Sequence, residues 1–147
     1  MRALIQRVSI ASVSVSGKKI AETGRGILAL VGIGAEDTPE TVPPFVDKIV
    51  NLRIFEDDSG KFNLSLSEIQ GDALLVSQFT LYGDCRKGRR PDFTAAARPE
   101  AAKRIYEEFI GEFKRRGIKT SSGEFQAHMM VSSVNDGPVT IMLDTDK

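Results

Sequence analysis

Residues able to do chemistry in this 147-residue chain gather in three short stretches. SQFTLYG, residues 77–83, supplies the hydroxyls of Ser77 and Thr80 and the amide of Gln78 beside Phe79 and Leu81. Groups of this kind can hold a carbonyl at the mouth of a pocket, or simply face water along a strand. CRKGRRPDF, residues 85–93, sets Arg86, Lys87, Arg89 and Arg90 within five positions. Clustered Arg and Lys suit phosphate contacts to RNA, or form a solvated basic loop. NDGPVT, residues 135–140, interrupts a strand-like run with Asn135-Asp136-Gly137-Pro138. A two-residue hairpin needs Asn-Gly or Asp-Gly and no proline. Gly137-Pro138 is therefore either part of a longer turn or a backbone shape held for a purpose.

Other templates are poorly served. A Ser-His-Asp or Cys-His site would have to use His128, the only histidine, which falls between Ala127 and Met129 in an expected strand. The lone cysteine, Cys85, has no resolving partner and reads as an incidental thiol. One histidine and one cysteine do not make a Cys/His zinc site, so neither metal nor cofactor is expected. GIGAED, residues 32–37, lacks the third glycine of the dinucleotide fingerprint, and GDCRKGRR is not a P-loop. Asp57-Asp58 and Glu107-Glu108 read as a turn and a solvated helix face.

The elements that must position these groups belong to one domain spanning 1–147. The hydrophobic share is 41% and the charged share 27%, ordinary for a globular protein, and a chain this long buries roughly 68–70% of its unfolded surface. Twenty basic and twenty acidic residues cancel, so any nucleic-acid footprint has to be local. The start, MRALIQRVSIASVSV, alternates and carries Arg2 and Arg7, unlike a signal peptide. No apolar run approaches membrane-spanning length. A cytoplasmic location is expected.

Residues 2–15 alternate as one long strand or two collinear ones, and Ser16-Gly17 turns them into a strand over 18–23. GILALVG, 26–32, suits a strand buried on both faces. Asp37 or Thr38 can cap a helix whose apolar face is Val42, Phe45, Val46, Ile49 and Val50. A short strand is expected over 53–55 and another over 72–81, which would put Ser77, Phe79 and Leu81 on one face. The spacing of Ala102, Ile105, Tyr106, Phe109, Ile110 and Phe113 predicts a helix opened by Pro99 and capped by Gly117. Strands over 119–122, 127–134 and 139–144 complete an α+β fold with largely antiparallel sheets.

SQFTL at 77–81 and NDGPVT at 135–140, together and in this order, resemble the two signature motifs of the D-aminoacyl-tRNA deacylase (D-tyrosyl-tRNA deacylase) family. The resemblance runs the full length, through MRALIQRVSIASVSV, GRGILALVGI, KIVNLRIFED, GKFNLSL and KGRRPDF. It implies a barrel-like arrangement of β-sheets with two packed helices, a homodimer with its active sites at the interface, and a D-aminoacyl-tRNA or mischarged glycyl-tRNA as substrate. It implies catalytic roles at Ser77, Gln78, Phe79 and Thr80, and substrate binding by Gly137, Pro138, Phe125, Ala127 and Met129. Arg86, Lys87, Arg89 and Arg90 would contact the tRNA. In the family the Gly-Pro pair is cis and reaches into the partner's pocket, so that its carbonyls occupy the space an L side chain needs. Gln126 and His128 depart from the pattern, standing where the family more often has glycine and an acidic residue.

That activity is compatible with the missing triad. An aminoacyl ester is already activated, and the adjacent ribose 2′-hydroxyl can assist attack. Positioning can supply about 7–11 kcal/mol and one oxyanion donor about 2.7–4 kcal/mol. Backbone amides around Phe79 and Thr80 are the expected donors. Thr80 as a covalent nucleophile would lack a base to activate it.

Overall fold

The computed structural model describes residues 1–145. Its strands are β1 (Arg2–Val15), β2 (Lys18–Thr23), β3 (Gly26–Gly32), β4 (Phe55–Glu56), β5 (Phe62–Leu64), β6 (Asp72–Ser77), β7 (Thr120–Ser122) and β8 (Met129–Asp144). Helix α1 spans Val42–Val50 and α2 spans Pro99–Arg115. The main sheet runs β2-β1-β3-β6-β7, with β8 also paired to β1, and β4-β5 form a separate ribbon. Ser121 Oγ of β7 donates to the Glu22 carbonyl at the end of β2, 3.3 Å away, which nearly closes the sheet into a barrel. The α+β architecture agrees with expectation. Its sheet is more mixed than expected, because β3–β6 and β6–β7 are parallel while the pairs made by β1 are antiparallel. Among the described residues no helix is long and apolar enough to cross a membrane.

Central strands read as expected. β3 is almost wholly buried between β1 and β6, which is why GILALVG shows no polar alternation. Gly26 lies opposite Asp72 there, and a Cβ on it would come within 1.9 Å of the Asp72 carbonyl oxygen. Gly26→Ala is therefore expected to push the two strands apart and destabilise the fold by about 3 kcal/mol. Chemical denaturation would show this as a lower midpoint, and an unchanged midpoint would refute it.

Both helices bury the predicted stripes. Phe45 of α1 meets Phe109 of α2 at 6.4 Å between ring centroids, and Phe109 meets Phe113 at 5.1 Å. Glu112 near the end of α2 accepts from Arg115 and Arg116 at 2.9 Å each, and those two guanidinium groups hold its carboxyl below the usual range. The caps differ from expectation at α1. A 3₁₀ turn over Pro39–Thr41 precedes the helix, and Asp37 instead accepts from the Gly34 amide at 2.6 Å.

Three corrections bear on the site. β6 ends at Ser77 rather than running to Leu81, and Phe79–Tyr82 form a 3₁₀ turn. Its last ladder partner is Val31, and the turn packs on Gly32, where a Cβ would lie 3.1 Å from the Gln78 carbonyl and 3.2 Å from Leu81 Cβ. The period-2 facing expected for Phe79 and Leu81 therefore fails past Ser77. Second, residues 62–64 form a strand where the sequence pattern gave no expectation of one. Third, residues 129–144 are one strand and not two joined by a hairpin, and residues 127 and 128 precede it. Both halves of β8 pair with β1. Gln6 faces Thr140 and Val8 faces Asn135, so the four residues 136–139 on β8 oppose the single residue Arg7 on β1. Residues 136–139, which take in Asp136, Gly137 and Pro138, are a bulge pushed out of a continuous strand. The bulge residues leave the ladder, so the missing amide of Pro138 costs no strand hydrogen bond.

Candidate functional site

A cavity of about 640 Å³ opens where β3 and β6 end beside the start of α2 and the strand entry into β8. Val31, Ile33, Val76, Ala97 and Ala102 make an apolar floor. Ser77, Gln78 and Phe79 form one edge, Phe93 another, and Phe125, Gln126, Ala127, His128 and Met129 the wall facing them. Apolar walls with few convergent polar groups are the usual character of a small-ligand site.

Local structure explains how each edge is held. Gln78 donates its backbone amide to the Val31 carbonyl at 2.7 Å, which anchors the chain just as it leaves the sheet. The next residues turn, and among the described residues the amides of Phe79 and Thr80 donate to no other group of the chain. Unused amides at the start of a helical turn can receive an anion or a carbonyl oxygen. Gln78 Nε2 donates to Thr80 Oγ1, so the Thr80 hydroxyl is already engaged by its neighbour. The Phe79 ring is 58% exposed and meets Phe93 edge-on at 5.1 Å. Phe125 is fixed from behind by Tyr106, 5.9 Å away, and the Tyr106 hydroxyl donates to the Leu75 carbonyl at 2.8 Å. Burial pushes the Tyr106 phenol far above its ordinary pKa, so it serves as a hydrogen-bond donor and not as an acid–base group.

Of the residues singled out in the sequence, Ser77, Gln78, Phe79, Phe125, Ala127 and Met129 line this cavity. Thr80 is exposed beside it and is not a lining residue. Gly137 and Pro138 are exposed on the β8 bulge, outside the cavity of their own chain, and the peptide bond between them is cis. The basic loop also stands apart. A bridge between Asp84 and Asp92 pinches it off, and Arg86, Lys87, Arg89 and Arg90 are all exposed. Arg86 is turned onto Asp84 through contacts of 2.6–3.0 Å and holds that carboxyl down at about 2. Lys87, Arg89 and Arg90 form no ion pair among the described residues and are exposed to solvent.

One residue important to this geometry was not singled out. Arg7 is 5% exposed and crosses behind the bulge. Its Nε donates to the Asp136 carbonyl and its Nη1 to the Ile54 carbonyl, both at 2.8 Å. Glu56 and Asp136 carboxylates lie 3.7 and 3.6 Å from the guanidinium, and the Phe62 ring 5.2 Å from it. The bulge is further pinned by Asn135, whose Oδ1 accepts from the Val139 amide at 2.8 Å. A signal for Arg7 was available: it falls in phase with Met1, Ala3 and Ile5 on the buried face of β1, where a charge is found only with partners.

The nearly closed α+β sheet carries an open apolar cavity, with the unengaged backbone amides of Phe79 and Thr80 at its edge. The chain belongs to the D-Tyr-tRNA(Tyr) deacylase family, whose model matches residues 4–144. It is 54% identical over 147 residues to the D-aminoacyl-tRNA deacylase of Thermosipho africanus (strain TCF52B), covering 100% of this chain and 99% of that one. The D-aminoacyl-tRNA deacylase of Clostridioides difficile (strain 630) is also 54% identical, with the same coverage. Among solved structures, the c-Myc DNA unwinding element binding protein superposes with a TM-score of 0.92 at 44% identity, covering 99% of each chain. A probable eukaryotic D-amino acid tRNA deacylase shares the fold, with a TM-score of 0.84 at 20% identity and 97% of each chain covered.

Proposed function

We propose that this protein hydrolyses the ester bond of D-aminoacyl-tRNA, and of mischarged glycyl-tRNA, in the cytoplasm and refuses the L-aminoacyl ester. The carrying observation is membership in the deacylase family across nearly the whole chain, with one signature stretch at the cavity edge and the other on an exposed bulge. The aminoacylated 3′ end enters the cavity, where Ser77, Gln78, Phe125, Ala127 and Met129 hold it. As water adds to the ester carbonyl, the oxygen gains charge that the free amides of Phe79 and Thr80 take up. The carbonyl then re-forms, the C–O bond to the ribose breaks, and the ribose oxygen leaves with a proton from the attacking water, giving free D-amino acid and tRNA. The ribose 2′-hydroxyl of the substrate assists the attack. Removing a preorganised donor of this kind costs about 2.7–4 kcal/mol of transition-state stabilisation.

The selecting part is the bulge. Because Gly137 and Pro138 do not reach the cavity of their own chain, they act in the cavity of a second copy, as a homodimer requires. Ile10, Met130, Val134 and Met142 support this reading, being large apolar residues left 45–65% exposed on the paired strands β1 and β8. Backbone carbonyls placed against Cα of the substrate exclude an L side chain whatever its chemistry. Glycine has no side chain to exclude, so glycyl-tRNA passes. Lys87, Arg89 and Arg90, with Arg86 beside them, contact tRNA phosphates and give binding a salt dependence.

Parallel assays with D-Tyr-tRNA, L-Tyr-tRNA and glycyl-tRNA test the proposal. Turnover of the first and third without the second is expected. Binding of tRNA with no turnover would make the chain an RNA-binding module, and equal turnover of D and L would remove the filter. Thr80→Ala is expected to retain measurable deacylation, since its amide rather than its hydroxyl faces the reaction. Complete loss in a folded variant would return catalysis to the side chain.

A further inference from the structure

Arg2 opens β1 and shares a sheet face with the residues opposite it, Gly32 of β3 and Asp144 of β8. Gly32 has no side chain, and the 3₁₀ turn Phe79–Tyr82 fills the space it leaves: a Cβ there would lie 3.1 Å from the Tyr82 ring. Arg2 closes over the same turn. Its Nη1 donates to the Leu81 carbonyl at 3.1 Å, and its guanidinium carbon lies 4.4 Å from the centre of the Tyr82 ring. Its Nε donates to Asp144 Oδ2 at 3.0 Å, which fixes the direction of the guanidinium from β8. The turn is thus gripped at both ends. At the start, the Gln78 amide is tied to the Val31 carbonyl. At the far end, the Leu81 carbonyl is tied to Arg2. Between these anchors lie the unengaged amides of Phe79 and Thr80. Arg2 itself is no part of the cavity lining.

We propose that Arg2 is a positioning residue for the deacylation, holding the Phe79–Tyr82 turn at the tilt that aims its two unengaged amides at the developing oxyanion. This rests on the proposed function, in which those amides receive the ester oxygen. The turn needs an outside support. Its bond from the Leu81 amide to the Gln78 carbonyl is long, at 3.3 Å, and a 3₁₀ turn is a weak frame. A charge-assisted bond to the Leu81 carbonyl supplies what the turn lacks. The effect falls on the transition state. Oxyanion donors act at about 2.7–3.1 Å from the place the charged oxygen will occupy, so a small rotation of the turn weakens them there. Substrate binding rests instead on the cavity walls, which Arg2 does not touch. Loss of Arg2 therefore shows in kcat and leaves KM almost alone.

The test compares wild type, Arg2→Met and Arg2→Lys in steady-state hydrolysis of D-Tyr-tRNA, with a thermal melt of each. Removing one oxyanion donor outright costs about 10²–10³-fold in kcat, and tilting a pair should cost less. Arg2→Met is expected to lower kcat about 30-fold with KM within about twofold of wild type. Arg2→Lys keeps a donor that can reach the Leu81 carbonyl, and should return kcat to within about fivefold of wild type. Both variants should melt within a few degrees of wild type, because the Arg2 side chain is 30% exposed and water can take its place on the carbonyl. An unchanged kcat in Arg2→Met overturns the inference and leaves the proposed function standing. So does a loss that merely follows the unfolded fraction at the assay temperature, or a lysine variant no better than the methionine one. If wild type turns over no D-Tyr-tRNA, both readings fall together.

Discussion

Gly137→Ala is expected to lower kcat/KM for D-Tyr-tRNA by about 100-fold while the variant melts within a few degrees of wild type. Gly137 has φ +144°, a backbone conformation that L side chains rarely adopt. An added Cβ would meet Val139 Cγ2 at 2.7 Å, the Val139 amide nitrogen at 2.9 Å and Arg7 Nη2 at 3.2 Å. Two of those atoms belong to Val139, the last residue of the bulge, so the bulge itself has to move. A displacement near 1 Å at a positioning group can cost two orders of magnitude in rate. Global stability changes little because the residue is exposed and lies outside the ladder between β1 and β8. Steady-state kinetics on D- and L-Tyr-tRNA, with a thermal melt, check both halves. Wild-type rate and selectivity in this variant would mean that the bulge has no part in the reaction.

Arg7→Met is expected to be the most destabilising single change near the site, by about 3 kcal/mol, or roughly 10 °C in Tm. Methionine keeps much of the apolar stem but removes the donors. The carbonyls of Asp136 and Ile54 each lose a charge-assisted bond of 2.8 Å, and such bonds are worth about 1.5–3 kcal/mol apiece. The 3.6–3.7 Å contacts to Glu56 and Asp136 add less, since those carboxylates are about half exposed to solvent. Arg7→Lys should recover only part of the loss, because one ammonium cannot reproduce the fork that reaches two carbonyls in different segments. The loss of kcat/KM for D-Tyr-tRNA should resemble that of Gly137→Ala. The double variant should fall short of the sum of the two in activity, because both act on the same bulge. Denaturation and kinetics on the four proteins of this cycle decide the matter; additive effects would show that Arg7 stabilises the fold without positioning the bulge.

Most of the scaffold was legible because its signals are local. The apolar stripe from Ala102 to Phe113 with Pro99 before it and Gly117 after it is a helix by spacing alone, and the uniform apolar run of β3 marks a strand with neighbours on both sides. What escaped the sequence reading depends on partners distant in the chain. Asn-Asp-Gly-Pro reads as a hairpin because nothing nearby shows that both flanking halves of β8 pair with the same strand. β6 reads through to Leu81 because its apolar residues continue, whereas its end is set by Val31, the last residue opposite it. The short β5 is visible only through its pairing with β4. At the site, the motif residues announced themselves, but Arg7 looked like one more polar residue in an alternating strand. Its burial follows from β4 and the bulge closing over it. Gln126 could be noticed from sequence only as a departure; its left-handed backbone shows why the position is open to glycine.

The bulge and the cavity wall share β8, with Met129 at one end of the strand lining the cavity and Gly137 farther along it facing away. In the proposed dimer each reaction centre is consequently assembled from the wall of one polypeptide and the selector of the other. Two alleles damaged in different halves, one at Gln78 and one at Gly137, would then restore each other when co-expressed, since half of the composite centres in the mixed dimer combine an undamaged wall with an undamaged selector. Harm from a selector mutation in a cell with a normal copy would be graded by gene dosage, and an error in one polypeptide would be felt at the catalytic centre of its neighbour.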